Sequence, residues 1–232
     1  MTRPAFKLSA ICALVLVLCA ACGSGDDDGL DVTTSWLGPL RQYERLSGED
    51  QYGVYLRNDA TRPARVLRFD IAPAEITVST GSDLNALSPA AYEELRGALV
   101  KALARQIASR FPAPAASATG TAEKGTDSYV LRAALTNLTI KRVSRKLGPA
   151  GLRDLEFSLD DSAIEISLHE QRSNARRAVI VQKVGGGKLR WNALADRFDA
   201  LALQAAEKTA EARDGIDKKA NAPEKPAPQK TE

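Results

Sequence analysis

Two stretches of the chain repeat their apolar residues every three or four positions, and the text between them alternates apolar with polar. In SPAAYEELRGALVKALARQIASRF, Tyr92, Leu95, Leu99, Leu103 and Ile107 share one helical face, with Ser88 placed as N-cap and Pro89 suited to the first helical position. The pattern predicts an amphipathic helix ending near Arg110. Trp191, Leu194, Phe198, Leu201 and Ala205 predict a second helix in LRWNALADRFDALALQAAEKTAEAR. VLRFDI sets Val66, Arg68 and Asp70 against Leu67, Phe69 and Ile71, and ITVST resumes after Pro73. Proline cannot donate to a ladder, so this strand is expected to be interrupted or bent there. From Ser128, Tyr129, Leu131, Ala133 and Leu135 share a face, whereas Leu138 and Ile140 have the opposite parity. That slip predicts a bulge near Thr136–Asn137. Leu155, Phe157 and Leu159 give way to Ile164, Ile166 and Leu168 through a phase change at Asp160–Ser162, and the tip QRSNARR leads into AVIVQKV. Residues 163–184 therefore read as an antiparallel hairpin.

The remaining text lacks a period. Residues 33–58 mix aromatics with Gly and Pro and read as an ordered lead-in without a regular element, docked by Trp36, Leu37, Leu40, Tyr43 and Leu46. A surface aromatic patch for a partner is the alternative. PAPAASATGTAEKG over 112–125 reads as a long loop, and 213–232 as a disordered Lys/Pro/Ala tail. The expected fold is α+β: a mostly antiparallel sheet of about four strands with two amphipathic helices packed on one face, forming a single domain over 33–212.

The N-terminus departs from this pattern. Arg3 and Lys7 precede an uncharged apolar run from Ala10 to Ala21, too short for a transmembrane helix of about 20 residues and suited to a signal h-region. Ala20 and Ala21 stand directly before Cys22, which resembles a bacterial lipobox, while Cys19 is preceded by the bulkier Leu18. Ordinary secretion with cleavage near Ala21 is the alternative. The resemblance implies a signal peptide over 1–21, lipidation of Cys22 and a flexible acidic tether over 22–32. Stable anchoring takes two or more acyl chains, and such lipoproteins generally carry three. Gly23 rather than aspartate after the cysteine implies the outer membrane, with the protein facing the periplasm.

Composition narrows the chemistry. All three cysteines, Cys12, Cys19 and Cys22, lie in the first tenth of the 232 residues, so nothing downstream supplies a thiolate nucleophile, a disulfide or a cysteine metal site. His169 is the one histidine, so a multi-histidine metal centre is excluded and any Ser-His-Asp set must use it. Lys+Arg number 32 against 29 Asp+Glu, and removing Arg3 and Lys7 with residues 1–21 leaves 30, which together with 5% aromatics argues against nucleic acid. Gly185-Gly186-Gly187-Lys188 lacks the spacing of a phosphate loop and has Leu189 where Ser or Thr should stand. His169 and Glu170 are adjacent on a strand and diverge, which suits a surface or cap-like histidine, and Asp160–Asp161 suit a turn. No catalytic set, metal or cofactor is expected. Lys141, Arg142, Arg145 and Lys146 in one connection, with Arg172, Arg176 and Arg177 at the hairpin tip, make a basic patch if both connections share one end of the sheet. Its partner would be an anionic headgroup or an acidic envelope protein; the alternative is solvated loop charge.

The phrases SWLGPLRQYERL with Tyr55 following, RVLRFDIAP, LSPAAYEELRGALVKALARQI, YVLRAALTNL, the hairpin, and a closing helix opened by Trp191 resemble the Gram-negative lipoproteins catalogued as domain of unknown function 3313. The resemblance spans roughly residues 35–212. The chain departs from that family in its QRSNARR tip and its Lys/Pro tail. The resemblance implies an envelope lipoprotein and supplies no catalytic residues. The expected function is a non-enzymatic binding or scaffold module of the cell envelope; the alternative is an accessory lipoprotein of an envelope lipid-transport system.

Overall fold

The computed structural model describes residues 33–58, 61–83, 87–112, 127–143 and 151–223. The signal peptide, Cys22, the tether, Arg145, Lys146 and the end of the tail lie outside these residues. A two-residue ribbon of β1 (Thr33–Thr34) and β2 (Gly38–Pro39) precedes a hairpin of β3 (Tyr43–Glu49) and β4 (Tyr52–Arg57). Next come β5 (Val66–Ile71), β6 (Glu75–Val78), helix α1 (Pro89–Arg110) and the long β7 (Asp127–Arg142). The chain continues through β8 (Leu155–Ser158), β9 (Ala163–Glu170), β10 (Arg176–Lys183), β11 (Lys188–Arg190) and helix α2 (Trp191–Asn221).

The main sheet has nine strands, which corrects the expected count of about four; the α+β class fits. Two causes produce the difference. The lead-in over 33–58 carries the β3–β4 hairpin, whose polar, glycine-containing text concealed its alternation. In addition, three lanes of the sheet are broken strands lying end to end: β5 with β6, β9 with β8, and β10 with β11. Pairing is antiparallel except where β5 and β6 run parallel to β7, as the α1 crossover between β6 and β7 requires.

The predicted phase slips line up. β7 pairs with β9 as far as Thr136↔Ala163 and with β8 from Thr139↔Ser158, and β10 hands over to β11 at the same level, between Lys183↔Ala163 and Lys188↔Ser158. Asn137 takes φ +58° at this crease, a conformation asparagine tolerates better than most residues. In each lane the core-facing parity flips across it, so Leu138 and Ile140, Leu155 and Phe157, and Leu189 all remain on the helix side.

Both helices cover that side. Ser88 Oγ accepts from Ala91 N at 3.2 Å, Pro89 starts α1, and Leu95, Leu99, Leu103 and Ile107 are buried, as predicted. Helix α2 runs past the expected end near Arg213, which corrects the tail assignment for residues 213–221. Its last turns look polar in sequence but bury Ala212, Gly215, Ile216 and Ala220. At Gly215 a Cβ would stand 2.6 Å from Leu56 Cδ1, so any side chain there would have to push the Leu56 methyl aside. Asp217 Oδ1 accepts from Val66 N at 2.9 Å, fastening the same turns to β5.

Candidate functional site

The sheet face opposite the helices is crossed by a strap, residues 33–42. It is held by polar bonds, because after Ala163 the outward positions of β9 are polar: Glu165, Ser167 and His169 alternate with the core residues Ile164, Ile166 and Leu168. Glu165 is 2% exposed. One of its oxygens accepts from Ser35 Oγ at 2.7 Å and Thr136 Oγ1 at 3.1 Å, the other from the backbone N–H groups of Trp36 and Leu37, each at 3.0 Å. Trp36 Nε1 donates to Glu75 Oε2 on β6 at 2.8 Å. Beyond this clasp, Leu37, Leu40 and Tyr43 pack on Tyr55, Val179 and Val181 as a small second core. Of the expected docking residues, Leu37, Leu40 and Tyr43 are buried, Trp36 is half-buried and Leu46 is exposed. Beside the clasp lies a polar cleft of about 350 Å³ whose lining includes Ser35, Gln51, Tyr52, Asn137 and Asp161.

Among the described residues, the members of the expected basic patch lie at opposite ends of β7. Tyr129 near the start of β7 faces Glu170, at the hairpin end, whereas Arg142 at its other end faces Leu155. At about 3.3 Å per residue, Lys141 and Arg142 lie some 40 Å from the hairpin tip. Two tip arginines are also committed. Arg177 is buried and forms a two-nitrogen bond to Glu170 Oε2, at 2.6 and 2.9 Å, with a further bond to Thr61 Oγ1 at 2.7 Å. Arg176 donates to Tyr43 Oη at 2.5 Å and to the strap carbonyl of Leu37 at 3.0 Å, stacking over the Tyr43 ring. Lys141 and Arg172 are exposed. The sequence conceals these roles because the partners are distant in the chain.

His169 is half-buried rather than a free surface group. Nδ1 lies 3.3 Å from the carbonyl of Asn174 and Nε2 3.1 Å from Ser167 Oγ. This is a serine–histidine contact, yet Ser167 is 1% exposed, so its hydroxyl is closed to a substrate and serves as a ring support. Arg132, which the sequence reading passed over, projects beside this pair from the neighbouring strand, its Nη2 3.4 Å from Asn174 Oδ1. Its position in the alternation of β7 was the available signal.

The glycine loop is structural. Gly185, Gly186 and Gly187 take φ of +48°, +140° and +65°, and Arg197 caps the carbonyls of Val184 and Gly185 at 3.2 and 3.1 Å. Asp160 acts as a turn residue, accepting from Gly187 N at 3.0 Å and Ser158 Oγ at 2.7 Å. Among the described residues no three His, Cys, Asp or Glu side chains converge as metal ligands, and no helix is long and apolar enough to cross a membrane.

Two groups near the hairpin end make stability pH-dependent, and Glu211 on α2, raised by burial but brought below its ordinary 4.5 by Ser47 and Lys208, adds to the lower of the two windows. Burial holds His169 below its ordinary 6.5, with Arg132 and Arg176 adding to the effect against the opposing Asn174 bond. Glu170 is raised by burial but brought below its ordinary 4.5 by the Ser173 and Arg177 bonds. Both folded-state values lie under the unfolded ones, so both contributions are present at neutral pH and are lost on acidification. The urea midpoint is expected to fall first below pH 6.5 and again below pH 4.5. His169→Gln should abolish only the first step, and a flat midpoint from pH 7 to 5 in the natural protein would refute the assignment.

No family model matches the chain, and no curated protein matches it. Among solved structures it is similar to a neuraminyllactose-binding hemagglutinin homolog from Helicobacter pylori, with 8% identity, TM-score 0.35, and coverage of 69% of this chain and 95% of that one. It is also similar to a PelC dodecamer from Paraburkholderia phytofirmans carrying L103M, with 14% identity, TM-score 0.29, and coverage of 67% and 95%. A second PelC dodecamer structure from that organism gives 12% identity and TM-score 0.27, covering 69% and 97%. At these scores neither likeness defines the fold or the ligand of this chain.

Proposed function

We propose that the protein is an outer-membrane-anchored periplasmic lipoprotein that works as a non-enzymatic binding module through the strap face of its sheet. The observation that carries this reading is the contrast between the two faces. The helix side is filled: Leu95, Leu99, Leu103, Phe157, Phe198 and Leu201 are fully buried between helices and sheet. Among the described residues this packing is that of a filled core rather than of an apolar groove, which weighs against the lipid-transport reading. On the opposite face the strap and its small core leave polar ground open beyond them, with the cleft at one end and the exposed Arg132 and half-buried His169 toward the other. Loops and sheet faces held on a rigid scaffold suit recognition of an envelope component or an anionic headgroup.

The anchor is supported by Ala20-Ala21-Cys22 and the short apolar run before it. Palmitate labelling in cells is expected to mark the natural chain and not Cys22→Ser, and the variant should leave the membrane fraction. A labelled variant would overturn the acceptor assignment. Crosslinking in cells from positions on the strap face should capture an envelope component; capture only from the helix side would overturn the choice of face.

A further inference from the structure

We infer that the hairpin end of the strap face is an oxyanion site in which Arg132 and Arg176, flanking His169, hold a phosphate group. The inference deepens the binding-module reading and rests on it. Three neighbouring strands build the site: Arg132 comes from β7, His169 from β9 opposite Val130, and Arg176 from β10 opposite His169. Asn174 ties them together, since its side-chain oxygen accepts from Arg132 and its carbonyl lies against His169 Nδ1.

Both guanidiniums are positioned by neutral acceptors. Arg132 has the Asn174 amide, and Arg176 has the Tyr43 hydroxyl and the Leu37 carbonyl. Among the described residues neither has a carboxylate at ion-pair distance. Two carboxylates on the adjoining strands are engaged elsewhere: Asp70, on β5 opposite Val130, pairs with Arg68 at 2.8 Å, and Glu170 pairs with Arg177. Two fixed cations beside an imidazole repel one another unless a counter-charge arrives from outside the chain. With Nε and Nη1 of Arg176 given to neutral acceptors and Nη2 of Arg132 to the Asn174 amide, the charge of both groups and their remaining N–H donors are left to meet several oxygens of a phosphate. Both imidazole nitrogens already have partners, so His169 lies under the anion as a titrating neighbour rather than as a direct ligand.

Because His169 is the one histidine, its ring resonances report on the site without assignment ambiguity. The test uses the full chain, labelled with ¹³C-histidine, in dodecyl maltoside micelles at constant ionic strength. One arm titrates inorganic phosphate; the other adds phosphatidylglycerol, with phosphatidylcholine as the uncharged comparison. A saturable shift with a rise in the His169 pKa is expected, because a bound anion favours imidazolium. Arg132→Gln should weaken it about tenfold, the loss of one charge-assisted hydrogen bond. Lys141→Gln, at the far end of β7, should leave it unchanged. Response to phosphate alone assigns a soluble phosphate; response to phosphatidylglycerol and not to phosphatidylcholine assigns a headgroup. No saturable response in either arm, or an equal response in Arg132→Gln, overturns the site. None of these outcomes depends on acylation, so failure of the anchor is read separately from Cys22→Ser.

Discussion

Glu165→Ala is expected to free the strap from the sheet while leaving most of the sheet folded. The carboxylate satisfies two backbone N–H groups and two hydroxyls at once, and removing it takes an acceptor from all four, while Thr136 Oγ1 keeps the Ala163 carbonyl at 3.2 Å and the exposed Ser35 can turn to water. Unsatisfied buried donors cost about 1–3 kcal/mol each, although Leu37 N keeps a second acceptor in Thr34 Oγ1. The strap is therefore expected to open to water, with a net loss of about 3 kcal/mol. Glu165→Gln preserves the volume but turns an amide N–H₂ toward other donors, so it should behave like the alanine variant. In a Trp191→Phe background Trp36 is the remaining tryptophan, so its fluorescence follows the strap while circular dichroism follows the sheet. The two transitions should separate in the variant and coincide in the parent. Coincident transitions with an unchanged midpoint would show that the clasp contributes nothing.

Arg177→Ala should cost still more. Its guanidinium and the Glu170 carboxylate are 7% and 10% exposed, so removing one partner strands the other charge in a low-dielectric site. Breaking such a pair typically costs about 3–5 kcal/mol, a large part of the stability of a domain of this size. Thr61 loses its partner as well, which loosens the approach to β5. Replacing both members, Arg177→Met with Glu170→Leu, should recover much of the loss, because the desolvation of two charges disappears with them. The check is urea unfolding of the single and double variants; a single variant within 1 kcal/mol of the parent would refute burial of the pair.

What could be read from the sequence follows from how local each signal is. The first helix was legible because Ser88, Pro89 and the spacing of Leu95, Leu99 and Leu103 act within one or two turns. The slip at Asn137 was legible for the same reason, since parity is counted along one strand. The β3–β4 hairpin was not. Gly48 and Gly53 face each other there, and a Cβ on Gly53 would meet the Ser47 carbonyl at 2.1 Å, so glycine is present for close approach and gives no apolar signal. The end of α2 was missed because small residues against Leu56 bury well while adding little to a hydrophobic period. At the site, the roles of Arg176 and Arg177 depend on Tyr43, Leu37, Glu170 and Thr61, and charge patterning alone does not distinguish a bonded arginine from a solvated one.

The strap also determines how the domain would bear load. A pull on the chain ahead of Thr33 reaches Ser35, Trp36 and Leu37 first, and these are bonded to Glu165 in an interior lane of the sheet. Its hydrogen bonds must then break together. Without the clasp, the same pull would fall on the Arg176–Leu37 bond and the packing of Leu37 and Leu40, and then on β3, the last strand on that side. Fastening residues 35–37 to β9 thus spreads a pull on this end of the chain over an interior strand of the sheet instead of leaving it to the edge hairpin.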